Sequence, residues 1–157
     1  MIIRLEHSKN IDFLEFIKQV PDNFQDFYIT KNKTRIFLTD LKLITKILNS
    51  QEVYALYEGE IKGILILFKE KGFRPYVKLL AENYESQSSL IKYLIWNFST
   101  QDLFFKLKKT NPLTKHVQKY GWVFSGDRGQ EILLFRKGIK SISKLGEKDD
   151  DRNNNEA

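Results

Sequence analysis

The sequence contains no cysteine and no long uninterrupted apolar run. Without cysteine the chain forms no disulfide, no thiolate zinc site and no cysteine nucleophile, so a reducing compartment is the simpler expectation. The longest apolar stretch, residues 64–68, is strand-sized, whereas a membrane-spanning helix needs roughly 20 apolar residues. No secretory leader is recognisable at the start. We therefore expect a cytoplasmic protein that does not span a membrane, and we assign no metal ligands.

The length and charge of the chain limit its organisation. A domain of 157 residues can bury roughly 68–70% of the surface of its unfolded chain. From Gly146 onward the tail holds two of the 26 basic and five of the 20 acidic residues, so the rest carries a net charge of +9. Such a surplus attracts nucleic acid, acidic proteins or cofactor phosphates, and a solvated basic surface explains it equally well. We predict one domain over residues 1–138 and a disordered polar tail over 139–157.

The first half of the chain shows the patterns of one strand, two helices and a three-stranded meander. The predicted elements are a strand over 2–7, a helix over 13–20, a helix from 39 or 40 to about 49, and strands over 53–57, 61–68 and 76–81. Ser8 can cap the first helix, Pro21 ends it, and Thr39 or Asp40 can cap the second. Residues 24–37 fit no single pattern.

The second half predicts a helix, a strand, a short helix and a closing hairpin. The corresponding ranges are 86–98, 103–108, 112–120, and a hairpin with arms at 123–124 and 131–136. Asn111 can cap the short helix, and Gly121 can end it in a left-handed conformation. In the first half, residues 64–68 are apolar at every position, which is typical of a central strand covered by helices on both faces. The expected fold class is therefore α/β.

Two stretches resemble the GNAT N-acetyltransferase superfamily. Residues 53–67 are similar to its second and third strands, with a Gly-x-Ile-x-Gly pattern at the turn, and residues 109–122 are similar to its strand, Asn, short helix and Gly-aromatic ending. The order of elements from residue 1 to 137 also resembles that superfamily. The resemblance implies a mixed, mostly antiparallel sheet of about six or seven strands with helices on both faces.

The resemblance also implies acetyl-CoA as co-substrate. In that fold the fourth and fifth strands splay apart and the pantetheine arm lies along the fourth strand, here at Leu79, Leu80 and Ala81, with Asn111 beside it. The pyrophosphate loop normally contains glycines, but here residues 82–89 contain none and include two carboxylates. Ser86, Ser88 and Ser89 could still offer hydroxyls and amides to an anion. Alternatively, these serines simply cap a surface helix.

The catalytic groups implied by the resemblance are incomplete. The position of the usual Tyr acid holds Val117, and its flanking candidates, His116 and Tyr120, point elsewhere on a helix that turns about 100° per residue. We expect His116 at the surface and Tyr120 in the core. The candidate base is Glu82, with Glu58 and Glu85 as further carboxylates. Proximity of the two reactants can by itself lower the barrier.

Three functions remain compatible with the sequence. The first is an N-acyltransferase that moves an acetyl group from acetyl-CoA to an amine of a small molecule or a protein. The second is an inactive GNAT-fold binding or scaffold protein, as in a phage or another AT-rich genome that the Lys, Asn, Ile and Phe content suggests. The third, not favoured, is nucleic-acid binding through stacking on Tyr84, Trp96 and Trp122, although both tryptophans also fit a core.

Overall fold

The computed structural model describes residues 1–20, 28–31, 34–69 and 75–139. These ranges contain nine strands, four α-helices and a short 3-10 helix at His7–Lys9. The strands are β1 (Ile2–Arg4), β2 (Tyr28–Lys31), β3 (Thr34–Phe37), β4 (Glu52–Tyr57), β5 (Ile61–Phe68), β6 (Tyr76–Ala81), β7 (Leu103–Lys108), β8 (Val123–Arg128) and β9 (Glu131–Arg136). The helices are α1 (Asn10–Gln19), α2 (Leu41–Ser50), α3 (Tyr84–Asn97) and α4 (Leu113–Gln118).

Seven of the strands form one sheet in the order β1-β4-β5-β6-β7-β9-β8. Every neighbouring pair is antiparallel except β6 and β7, which run parallel. Helices α3 and α4 pack on one face of this sheet, and α1 and α2 pack on the other, which gives two apolar clusters. The predicted mixed, mostly antiparallel α/β fold is therefore confirmed. No helix in the described ranges is both long and apolar enough to cross a membrane.

Strand β5 is the centre of the molecule. Residues 64–68 are all buried, with Leu65 and Leu67 in the cluster under α3 and α4 and the alternate residues in the cluster under α1 and α2. Strand β5 pairs with β4 through a turn in which Gly59 adopts φ 76°, a conformation that glycine reaches without strain. The predicted hairpin and the predicted doubly covered strand are both confirmed.

The first two helices begin differently from each other. Of the two predicted caps of α2, Thr39 and Asp40, the structure selects Asp40, since its Oδ1 accepts a hydrogen bond from the Lys42 amide at 3.1 Å. Ser8 does not cap α1, because it lies inside the 3-10 helix and α1 begins only at Asn10. Helix α1 ends at Gln19, and Pro21, the predicted terminator, lies outside the described residues.

A two-stranded hairpin of β2 and β3 stands between α1 and α2. The ambiguous segment 24–37 thus contains strands that the sequence did not predict, and its first residues, 24–27, lie outside the described ranges. Tyr28 is buried and packs edge-on against Phe37 at 5.9 Å. The ammonium of Lys78 on β6 lies 4.2 Å from the centre of the Tyr28 ring. The hairpin therefore lies against β6.

The carboxyl-terminal hairpin is longer than predicted. Strand β8 continues to Arg128, a bulge between Phe124 and Gly126 absorbs one residue, and the turn lies at Gly129 with φ 79°. The last described residues are held by backbone amides, because Gly138 donates to Asp102 Oδ1 at 2.8 Å and Ile139 donates to the Ser99 carbonyl at 2.7 Å. Residues 140–157, most of the predicted disordered tail, lie outside the described residues.

Candidate functional site

The sheet opens between its two parallel strands. Strands β6 and β7 pair only at Tyr76–Phe104 and Val77–Phe105, near their amino ends. Beyond these pairs β6 remains bonded to β5 and β7 remains bonded to β9, so β6 and β7 diverge from each other. Helix α3 follows β6 and helix α4 follows β7, so both helices start at the open end. Crevices at the carboxyl ends of parallel strands are common ligand sites.

The predicted arm-binding residues lie on the diverging part of β6. Leu79 and Ala81 are buried in the cluster under α3 and α4, whereas Leu80 is buried in the cluster on the opposite face. Because their side chains are buried in the core, this segment can bind a ligand in the crevice only through its backbone. A strand edge without a neighbouring strand presents regularly spaced amides and carbonyls for hydrogen bonding.

Helix α3 starts earlier than the sequence predicted. It begins at Tyr84, and Asn83 is its cap, because the Asn83 Oδ1 accepts a hydrogen bond from the Ser86 amide at 2.8 Å. Ser86, Ser88 and Ser89 all lie inside the helix, so the interpretation of the serines as the helix cap is wrong. The Asn83 side chain therefore accepts the hydrogen bond of a backbone amide at the helix start. In other proteins, amides at this position bind phosphate.

His116 on α4 is buried, with only 2% of its surface exposed, and the expectation that it lies at the surface is wrong. Its Nδ1 lies 3.0 Å from Gln87 Oε1, and its Nε2 lies 3.0 Å from Ser88 Oγ. The ring of Tyr84 stacks on the imidazole with centroids 3.8 Å apart and planes 11° apart. We call Tyr84, Gln87, Ser88 and His116 the α3–α4 clasp, because they join the start of α3 to α4.

The surroundings of His116 favour its neutral form. Burial, and then the nearby positive charge of Lys119, lower the pKa of His116 below its ordinary value. Since Gln87 Oε1 can only accept, Nδ1 carries the proton, and Nε2 accepts the hydroxyl hydrogen of Ser88. Both ring nitrogens are engaged within the protein. His116 is thus a positioning residue in this arrangement and has no free nitrogen with which to protonate a ligand.

The stability of the protein should fall as the pH drops below about 6.5, the ordinary histidine value. The unfolded chain binds a proton at position 116 more readily than the folded chain does, so acid favours unfolding in the window between the folded and unfolded pKa values. We expect His116→Phe, which keeps a ring for Tyr84 to stack on, to weaken this pH dependence. Urea unfolding between pH 7.5 and 5.5 measures it. His7→Gln, at an exposed residue, is the control, and its free energy of unfolding should depend on pH as that of the unsubstituted protein does. An unchanged pH dependence in His116→Phe would contradict the role given to His116.

The other predicted residues of α4 have structural contacts. Asn111 Oδ1 accepts a hydrogen bond from the Leu113 amide at 2.9 Å, which is the predicted kind of capping bond, but α4 begins at Leu113, one residue later than predicted, so Pro112 stands at the cap position. Val117 is fully buried in the core, so no hydroxyl stands at the position that the resemblance gives to the acid. Tyr120 is half-buried against the core, as expected, and its ring centre lies 5.6 Å from that of His116. Gly121 ends this segment with φ 103°.

The three candidate bases meet in one place. Glu58 lies in the turn between β4 and β5, and Glu82 and Glu85 lie at the start of α3, yet all three line one cavity of about 280 Å³. The remaining lining residues are Leu56, Lys62, Asn83, Ser86 and Ser89. The Lys62 ammonium lies 2.9 Å from a Glu60 carboxylate oxygen and 3.5 Å from one of Glu82. Glu82 is therefore held in an ion pair, while the cavity as a whole is rich in carboxylates.

Sequence reasoning missed the roles of Tyr84, Gln87 and Asn83, and it misplaced His116. A signal for His116 was present, because residues 113, 116, 117 and 120 have the i, i+3, i+4, i+7 spacing of one buried helix face. Residues 84, 87 and 88 likewise share one face of α3. No local pattern indicates that these two faces contact each other.

No protein-family model matches the sequence, and no curated protein is significantly similar to it. Solved structures do match. An N-acetyltransferase from Staphylococcus aureus Mu50 superposes with a TM-score of 0.69 at 19% identity, over 87% of this chain and 96% of that one. An acetyltransferase from Thermus thermophilus gives 0.63 at 14% identity, over 87% and 95%. An acetyltransferase of the GNAT family from Streptococcus pneumoniae gives 0.59 at 15%, over 86% and 96%. The chain has the fold of the GNAT N-acetyltransferases.

Proposed function

We propose that this chain is an N-acyltransferase that moves an acetyl group from a pantetheine thioester to an amine. The observation that carries the proposal is the divergence of β6 and β7 after only two residue pairs, which, within the described residues, leaves the edge of β6 without a neighbouring strand inside a GNAT fold. The similar solved structures named above are described as acetyltransferases, which supports the same chemistry. The fold implies acetyl-CoA as the member of this thioester class to test first.

Only the pantetheine half of acetyl-CoA fits the site. The pantetheine arm suits the edge of β6 at Leu79, Leu80 and Ala81, where it would bond to the backbone, with Asn111 at the start of α4. The diphosphate does not suit the start of α3, where Asn83 already occupies the Ser86 amide and where Glu82 and Glu85 are exposed carboxylates. The bound thioester would supply the activated acetyl group.

The residues of the chain would contribute to catalysis mainly by positioning the amine and the thioester. Glu82 follows β6 directly and is the proposed base that takes the proton from the acceptor amine, with Lys62 holding its carboxylate. Tyr120 is the remaining candidate acid, because Val117 lacks a hydroxyl and both nitrogens of His116 are engaged. Alignment of the amine with the thioester can supply several kcal/mol of barrier reduction without an acid.

We expect acetyl-CoA to raise the melting temperature of the protein in a thermal-shift titration, because a ligand that binds only the folded state stabilises it. The gain is about 2.7 kcal/mol when the ligand concentration is 100 times its Kd. Acetyl phosphate, an acyl donor that lacks the pantetheine arm, is the control and should give no shift. If neither acetyl-CoA nor any other pantetheine thioester shifts the transition at millimolar concentration, the acyltransferase proposal is wrong.

A second candidate function is a binding module that has kept the fold without the chemistry. The buried Val117 at the acid position and the α3–α4 clasp favour it. The same titration separates the two, since a binding module without the cofactor gives no shift with any thioester. Nucleic-acid binding is not proposed. Trp122 is buried, and one face of the Tyr84 ring, which is 58% exposed, stacks on His116. Of the three candidate rings, Trp96 is the most exposed, at 83%.

A further inference from the structure

We infer that the site recognises its acyl donor by the pantetheine arm alone, so that the donor is a pantetheine thioester lacking the nucleotide half of coenzyme A. The inference rests on the proposed function and specifies its substrate class. Three independent features at the start of α3 disagree with a bound nucleotide diphosphate, while the crevice between β6 and β7 remains suitable for an arm.

The first feature is the use of the amides at the helix start. Helix amino termini bind phosphate through backbone N–H groups that no residue of the protein occupies. Here the Ser86 amide donates to Asn83 Oδ1 at 2.8 Å, so the capping side chain already uses one of the amides that the first turn of a helix leaves without a helical partner. Residues 82–89 contain no glycine, and regular helix begins at Tyr84, so the backbone makes no wide loop around an anion.

The second feature is charge. Glu58, Glu82 and Glu85 line the cavity beside the helix start, and Lys62 is the cation among its lining residues. That ammonium is already paired with Glu60 and Glu82. A diphosphate at this position would therefore meet carboxylates, and repulsion between like charges a few ångströms apart is only partly screened by salt.

The third feature is the α3–α4 clasp. His116 lies within 3.0 Å of both Gln87 and Ser88, and it stacks on Tyr84. These contacts join the first turns of α3 to α4. A nucleotide that passed between the first turns of these two helices would have to break them, whereas a pantetheine arm held between β6 and β7 would not.

An acylated pantetheine arm of this kind has two sources, a free pantetheine thioester or the phosphopantetheine arm of an acyl carrier protein. Both present the same amides, thioester and acyl group to β6 without a nucleotide. The net charge of +9 outside the acidic tail would favour an acidic carrier. The binding experiment below distinguishes these two sources.

Calorimetric titration of the full chain with S-acetylpantetheine, acetyl-CoA and adenosine 3′,5′-bisphosphate tests the inference. We expect the two thioesters to bind with Kd values within about three-fold of each other and the bisphosphate not to bind. Acetyl-CoA binding about ten-fold tighter than S-acetylpantetheine, or any binding of the bisphosphate, would overturn the inference and leave the proposed function standing. Absence of binding by both thioesters would overturn both. An acetylated carrier protein that binds more tightly than S-acetylpantetheine identifies the carrier as the source, and equal affinity identifies the free arm.

A pair of variants tests independently whether the carboxylate of Glu85 repels the nucleotide half of acetyl-CoA. Glu85→Gln removes one carboxylate at the start of α3 while keeping a helix-forming side chain, and we expect it to raise the affinity for acetyl-CoA at low salt and to leave that for S-acetylpantetheine unchanged. Glu15→Gln makes the same charge change on α1, across the sheet, and should alter neither affinity. Unchanged acetyl-CoA affinity in Glu85→Gln, or an equal rise for both thioesters, would contradict the assigned repulsion.

Discussion

Replacing Leu65 with aspartate is expected to leave no folded protein. Leu65 lies at the middle of β5, has no exposed surface, and belongs to the cluster between the sheet and helices α3 and α4. An ionised carboxylate there would have no partner, and burying an unpaired charge costs several kcal/mol or more. That cost is comparable with the whole stability of a domain, about 5–15 kcal/mol. Leu67→Asp, on the same face of the strand, should have the same result.

The matched control for Leu65→Asp is Val123→Asp on the edge strand β8. Val123 is 58% exposed, so the new carboxylate remains hydrated and the free energy of unfolding should change by less than about 1 kcal/mol. Near-ultraviolet circular dichroism and urea unfolding distinguish the two variants. Soluble Leu65→Asp protein with a native near-ultraviolet spectrum would show that β5 is not the doubly covered centre of the sheet.

The second large effect is expected from Gly63→Ala. A Cβ at Gly63 would lie 2.6 Å from Leu90 Cδ1, and 3.4 Å from both the Ala81 Cβ and the Leu80 carbonyl oxygen. Leu90 is fully buried in α3, so the helix or its side chain must shift to make room. Overpacking of this kind destabilises by about 1–3 kcal/mol. Since α3 carries the Asn83 cap and half of the clasp, its displacement should also weaken thioester binding.

Gly126→Ala on β8 is the control for Gly63→Ala. A Cβ at Gly126 would have Leu133 Cβ as its neighbour at 3.9 Å, an ordinary contact, and the φ of Gly126 is not positive. We expect this control to be neutral or to stabilise by up to about 1 kcal/mol, because alanine restricts the unfolded chain. Equal stabilities of the two variants in urea would contradict close packing of α3 on β5. Partial rescue of Gly63→Ala by Leu90→Ala would identify the clash itself.

Much of the fold follows from local patterns, and the confirmed predictions are those that depend on them. The hairpin of β4 and β5 is specified by strand-forming residues on both sides of Gly59, and the burial of residues 64–68 by their uninterrupted apolar character. Asp40 and Asn111 were predicted as caps because each precedes a helical pattern, and both accept the expected kind of hydrogen bond. The strand limits 76–81 and 103–108 also agree with the structure.

The wrong predictions fall where local patterns are weak or compete. The strands β2 and β3 have only four residues each, which is too short for a clear periodicity. The sequence does not single out Asn83 as the cap of α3, because the serines after it are equally good capping residues. Trp96 is exposed although its apolar size favours a core, whereas Trp122, the same residue type, is buried. Residue type alone does not tell which helix face meets the sheet.

By itself, the sequence determined the order of the strands and helices apart from β2 and β3, the central position of β5 and the absence of glycine at the start of α3, because turn chemistry, periodicity and composition act over a few residues. Only the tertiary structure decided which of these residues meet. His116 lies 28 residues from Ser88 and contacts it because α3 and α4 pack side by side on one face of the sheet. Glu58 joins Glu82 and Glu85 because β5 pairs with β6, and the crevice exists because β6 and β7 stop pairing after Val77. Long-range packing, which no local pattern encodes, therefore made the site.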